Sequence, residues 1–124
     1  MATIELTKDN FNQTLTENDF VLIDFWASWC GPCKTFSPIF EKASERHTDL
    51  TFTTVDTEAQ QELAASFDIQ SIPTLMVVRD KTVIYAQPGA LPEEALEDLI
   101  QQARDIDMDE VRKEIAKQQA DGQD

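Results

Sequence analysis

Cysteine, glycine and positive charge are all scarce in this 124-residue chain. It has two cysteines, three glycines and one histidine, with 10 basic residues against 24 acidic ones. Two cysteines exclude the multi-bridge scaffold of a small secreted domain. Two cysteines and one distant histidine also fall short of the roughly four ligands of a structural zinc site. The few glycines leave no Gly-rich nucleotide-binding fingerprint. A formal net charge of −14 opposes binding to nucleic acid or an anionic membrane, because phosphates are held by Lys and Arg. The acidic residues read as a solvated face, with basic partner surfaces as the alternative. No apolar run approaches the ~20 residues that span a bilayer. The first ten residues lack a basic-then-apolar export pattern, so the cytoplasm is the expected compartment. Repeats and Pro/Gly-rich linkers are also missing.

The remaining pattern alternates. Ala2 to Leu6 reads as a short peripheral strand, and Thr7 as the cap of a helix carrying Phe11 and Leu15 four apart. Phe20 to Trp26 is almost continuously apolar, as expected of a central strand covered on both faces. A helix beginning around Cys30 to Pro32 carries Phe36, Ile39, Phe40 and Ala43 at helical spacing, with Pro38 inside it. Leu50 to Asp56 reads as a strand and Ala59 to Phe67 as a short helix. Thr74 to Val78 and Thr82 to Ala86 form a hairpin across Arg79-Asp80-Lys81. Pro92 suits the first turn of a helix whose stripe is Leu96, Leu99, Ile100 and Ala103. The order β-α-β-α-β-α-β-β-α is an α/β fold, a mixed sheet with helices on both faces. Beyond it, Asp107 and Glu110 resemble a capping box, and Met108, Val111 and Ile115 make the stripe of an added helix reaching about Gln119. Asp109 and Lys113 suit an i, i+4 ion pair, and Ala120 to Asp124 read as a frayed tail. The expected division is a domain over 1–106 and an extension over 107–124. That helix either packs on the domain or meets a partner; packing or solvation is favoured.

Both cysteines lie in Trp29-Cys30-Gly31-Pro32-Cys33, directly after the apolar strand. Two thiols three positions apart close a small disulfide ring. A ring this small restricts the unfolded chain little, so stapling explains it poorly and redox exchange explains it well. The attacking species is a thiolate. Unpaired N–H groups at a helix N-terminus favour negative charge on Cys30, and Lys34 adds at most a little. Cys33 follows one turn later on the same face, placed to attack a mixed disulfide at Cys30. Pro32 stiffens the turn, and Gly31 has no side chain to obstruct a peptide. Asp24 interrupts the most apolar strand. It either faces solvent at an edge or is buried with a raised pKa; its flanks favour burial. A carboxyl so placed suits taking the Cys33 proton through a water. Pro73 opens a strand, where its missing N–H is tolerated. His47 continues the stripe of the second helix and reads as a helix-end packing residue.

Together Asp24-Phe25-Trp26-Ala27-Ser28-Trp29-Cys30-Gly31-Pro32-Cys33-Lys34, Ser71-Ile72-Pro73-Thr74 and Gly89-Ala90-Leu91 resemble the thioredoxin family, in the bacterial form, over roughly residues 3–104. The resemblance implies the thioredoxin fold and a protein-disulfide reductase, with Cys30 as nucleophile, Cys33 as resolving thiol and Asp24 as the buried carboxyl. It implies a cis Ile72-Pro73 bond and a client surface of Trp29, Gly31, Pro32, Ile72, Pro73, Gly89 and Ala90, with client backbone pairing near Ile72. It further implies no bound cofactor, no metal, a monomer, disulfide-containing clients, and recharging by an NADPH-dependent flavoprotein reductase. Three positions depart from the common pattern. Thr54 stands where many members carry a lysine near the aspartate, so Asp24 is expected to titrate unusually high. Ser71 replaces a frequent glycine, and the Asp80-Lys81 turn has none. Two other readings are a binding module whose tail docks a partner, and the same chemistry run oxidatively. The intact Cys30, Cys33, Asp24 and Pro73 disfavour the first, and the Gly31-Pro32 dipeptide the second.

Overall fold

A computed structural model describes residues 2–121 of the chain. Five strands form one sheet: β1 (Thr3–Glu5), β2 (Phe20–Trp26), β3 (Thr51–Asp56), β4 (Thr74–Arg79) and β5 (Thr82–Pro88). Their spatial order is β1-β3-β2-β4-β5. The first three pair in parallel, and β4 and β5 run antiparallel. The apolar run of β2 is therefore central, hydrogen-bonded on both edges and covered on both faces.

Period-two alternation along the strands divides the core. Leu22, Phe52, Leu75 and Val77 face one side and meet Phe36, Phe40 and Ala43 of α2 (Gly31–Arg46) and Leu96, Ile100 and Ala103 of α4 (Glu93–Asp105). Val21, Ile23, Phe25, Val55, Met76 and Val78 face the other side, under α1 (Phe11–Glu17) and α3 (Gln61–Ser66) with Leu63, Phe11, Leu15 and Phe67. Asp24 shares parity with Leu22, so it points to the α2 side.

Several local expectations are corrected. Thr7 does not cap α1. Its hydroxyl accepts from the Asp9 N–H, and its carbonyl accepts from Phe11 in a turn that delays the helix. Asn10 holds the N-cap position, but its side chain is engaged with Thr7 and Glu5. The third helix starts at Gln61 instead of Ala59 because the Asp56 carboxylate accepts from the Glu58 and Ala59 N–H groups and holds a turn. Pro92 is the N-cap of α4 and lies just outside its first turn. The hairpin turn is two residues, Asp80 and Lys81, both at positive φ (51° and 65°).

The last helix, α5 (Met108–Asp121), starts under half of the expected capping box: Asp107 accepts from the Asp109 and Glu110 N–H groups, while the Glu110 carboxylate pairs with Lys113 instead of returning to Asp107. Its Met108 is buried, and Val111 and Ile115 are half-buried. Arg112 reaches from α5 to Asp80 in the hairpin turn, and also pairs with Asp109. The expected Asp109–Lys113 pair is replaced by Lys113–Glu110 at 3.5 Å. Ala120 and Asp121 continue α5 instead of fraying; the rest of the expected tail lies outside the described residues. Arg79 also ties this end together, donating to the Ala103 and Ile106 carbonyls that close α4.

Candidate active site

The chain leaves the C-terminal end of central strand β2 and turns into α2 within four residues. Cys30 is the N-cap residue of α2, and the Cys33 backbone N–H donates to Cys30 Sγ at 3.2 Å. The helix N-terminus thus directs a donor and its positive end at the first sulfur, where a thiolate is stabilised. Cys30 and Cys33 form a disulfide with a Cα–Cα distance of 5.2 Å. Both residues are buried, whereas Gly31 and Pro32 between them are exposed. A Cβ added at Gly31 would meet no atom within 4 Å, so the face above the ring is open. Lys34 is exposed, and its ammonium forms no ion pair among the described residues.

Three distant segments surround the ring. The Ile72–Pro73 peptide is cis, and the Ile72 carbonyl oxygen lies 3.7 Å from Cys30 Sγ. Gly89 donates its N–H to the Pro73 carbonyl at 2.8 Å. Its φ of 114° is open to glycine and rarely adopted by other residues. That bond brings exposed Gly89 and Ala90 beside Pro73. Trp29 is 67% exposed, and its indole N–H donates to Glu58 Oε1 at 2.8 Å. Trp29 and Ile72 share a shallow groove of about 300 Å³ with Ala64, Ala65, Ile69 and Ser71. The structure therefore gathers Trp29, Cys30, Ile72, Pro73 and Gly89 around one face. Glu58 and the α3 wall of the groove carried no sequence signal, because only the fold brings them there.

Asp24 lies elsewhere, on the α2 side of the sheet. It is 1% exposed, and its Oδ1 has no hydrogen-bond partner. Desolvation by burial raises its pKa from 3.8 to about 7. Thr54, its register partner on β3, offers no cation to oppose that rise. Asp24 lines a cleft of about 560 Å³ with Trp26, Ser37, Pro38, Glu41, Glu45 and Thr54. Trp26, Ser37 and Pro38 also wall a smaller hollow of about 380 Å³ that reaches Cys33, so the surroundings of the carboxyl and of the second thiol adjoin. Among the described residues, no three His, Cys, Asp or Glu side chains converge to hold a metal ion.

A redox-active ring at a helix N-terminus, faced by a cis-proline, matches the thioredoxin family model over residues 2–102. The chain belongs to the thioredoxin family. It is 66% identical over 119 residues, 96% of this chain and 89% of the other, to a Streptomyces coelicolor protein provisionally named thioredoxin 2. It is 39% identical to the thioredoxin of Bacillus subtilis, over 81% of this chain and 96% of that one. Among solved structures, a mutant thioredoxin of Halobacterium salinarum superposes with a TM-score of 0.76 at 31% identity, covering 85% of this chain and 93% of that one. As a thioredoxin-family protein the chain is a dithiol–disulfide oxidoreductase that reduces protein disulfides through Cys30 and Cys33. No helix of the described residues is long and apolar enough to cross a membrane.

Proposed function

We propose that Cys30 attacks the client disulfide and that Cys33 and Asp24 complete the exchange. The Cys30 thiolate bonds to one client sulfur, and the client S–S bond breaks to release the first client thiolate. Cys33 passes its proton to the Asp24 carboxylate through water in the adjoining hollows and attacks Cys30 Sγ. The mixed disulfide breaks, and the second client thiolate leaves with a proton. Two electrons pass from the dithiol to the client, and the ring closes to the Cys30–Cys33 disulfide. Trp29, Gly31, Pro32, Ile72, Pro73, Gly89 and Ala90 receive the client as an extended segment. The observation that carries this division of labour is the Cys33 N–H directed at Cys30 Sγ, which favours negative charge on Cys30 and not on Cys33.

The disulfide is recharged by an NADPH-dependent flavoprotein reductase, which supplies two electrons and two protons. The chain works as a cytoplasmic monomer, with residues 1–106 as the redox domain and 107–124 as an appended helix. The lack of a pairing cation at Asp24 supports its role as a proton acceptor near neutral pH. Insulin reduction driven by dithiothreitol tests the assignment: Cys30→Ser abolishes the catalysed rate, and a rate equal to the unsubstituted protein defeats it. Cys33→Ser instead accumulates a mixed disulfide with the client, seen by mass spectrometry.

A further inference from the structure

The cleft lined by Asp24 has the features of a site for a ligand other than the client disulfide. It is lined by residues of α2, by Asp24 and Trp26 of β2 and by Thr54 of β3. Its lining includes a carboxylate oxygen of Asp24 with no hydrogen-bond partner, in a residue 1% exposed. A buried charged acceptor left unpaired is costly and gains most from a cation that reaches it. Two further oxygens line the same space, the hydroxyls of Ser37 and Thr54. The walls are apolar and partly aromatic: Trp26, Pro38 and Phe40. Glu41 and Glu45 add negative charge to the lining, Glu41 while accepting from the Thr3 hydroxyl, and exposed Lys42 adds a positive charge. Three oxygen-bearing side chains, apolar and aromatic walls and two glutamates around one open cleft match one chemistry, an ammonium carried on a short alkyl stem. Its three N–H donors face three acceptors, and its methylenes lie against the rings of Trp26 and Phe40.

We propose that this cleft binds a primary alkylammonium group, with the ammonium on Asp24 and the stem between Trp26, Pro38 and Phe40. Two sources share that chemistry, a free aliphatic amine and a lysine side chain of another protein. Thr54→Lys is the internal control, because a lysine on the register partner of Asp24 enters the cleft and pairs with Asp24 in cis.

Titration of the oxidised full-length protein with n-butylammonium chloride, followed by NMR at Asp24, Trp26 and Thr54, tests the site. Saturable shifts with a dissociation constant on the order of 1 mM are expected for so small a probe. Neutral n-butanol and sodium chloride at matched concentration do not reproduce them. Asp24→Asn weakens binding by about tenfold or more, the loss of one charge-assisted contact, and Thr54→Lys abolishes it. Nα-acetyl-lysine amide identifies the source. Binding by both probes admits a lysine side chain, and binding by n-butylammonium alone restricts the site to free amines; either result supports the cleft. Shifts that never saturate, equal shifts with n-butanol, or unchanged affinity in either variant overturn it. The readout is binding, so it stands apart from whether Asp24 handles the proton in the redox step.

Discussion

Asp24 is the residue at which stability and activity pull in opposite directions. Its carboxyl titrates near 3.8 when free and at about 7 in the folded protein. The folded state therefore holds the proton more tightly, and this group's contribution to stability is fully present below about pH 4. It is lost progressively as pH rises toward 7 and stays lost above it. About three units at ~1.4 kcal/mol each set the loss at about 4 kcal/mol, an upper bound because a folded protein relaxes around a buried charge. Asp24→Asn, neutral at every pH, is expected to unfold at higher urea than the unsubstituted protein at pH 8 and to show little gain at pH 4. Equal gains at the two pH values would show that the carboxyl is not buried as described. Carboxyl NMR of the reduced form reads the titration directly, and a midpoint near 4 contradicts it. Trp29, exposed beside the ring, and Trp26, on the wall of the hollow reaching Cys33, are expected to change emission when the disulfide is reduced. An unchanged spectrum places both rings too far from the sulfurs. The burial of Asp24 was legible from its apolar flanks. Its missing cation was legible only through the family resemblance, which put Thr54 where a lysine is common; the register of β2 and β3 then sets Thr54 opposite Asp24.

At the scale of elements, local signals performed unevenly. Central strand β2 and the stripe of α2 were legible because apolar period and length both pointed one way. Helix starts were less so. Thr7 and Asn10 both have capping side chains, and the choice between them was made by contacts with Glu5 and the turn. The β4–β5 turn places Lys81 in left-handed backbone at φ 65° without glycine. Lys81→Gly is expected to stabilise the protein by about 0.5–1 kcal/mol, the relief of that conformation less the added chain entropy. Chemical denaturation measures it, and a destabilisation would mean that the lysine side chain contributes more than its backbone costs. The same turn receives Arg112 from α5. Arg112→Ala should therefore speed amide exchange in α5 while leaving exchange in β2 unchanged. Met108→Ala is expected to cost about 2 kcal/mol, since it empties a buried apolar position. His47 illustrates a partner set that no local pattern reveals. It stacks on Phe52, accepts at Nδ1 from Arg104 and donates from Nε2 to Glu97, fastening the end of α2 to α4. Its expected packing role was correct, but the polar bridge depends on α4 lying alongside.

For the whole molecule, a chain ending at Ile106 is expected to fold and to reduce insulin within about twofold of the full-length rate, since both core faces and the ring lie before that point. A truncated chain that folds but loses activity would give α5 a part in the site and overturn the proposed division at 106. Alternating periods of two and 3.6, with one short hairpin, were sufficient to indicate a mixed sheet covered on both faces, because burying apolar surface on both sides leaves few other arrangements. The Cys30-Gly31-Pro32-Cys33 spacing likewise determined that a small ring would form at a helix start, a consequence of covalent reach and helical geometry that needs no distant contact. What only the tertiary structure decided were relations across the sequence: Glu58 holding Trp29, His47 bridging Arg104 and Glu97, Arg112 crossing to Asp80, and an open cleft lined by Asp24. Such pairings depend on how strands register and helices cross, and they are fixed by close packing in three dimensions that no local window of residues contains.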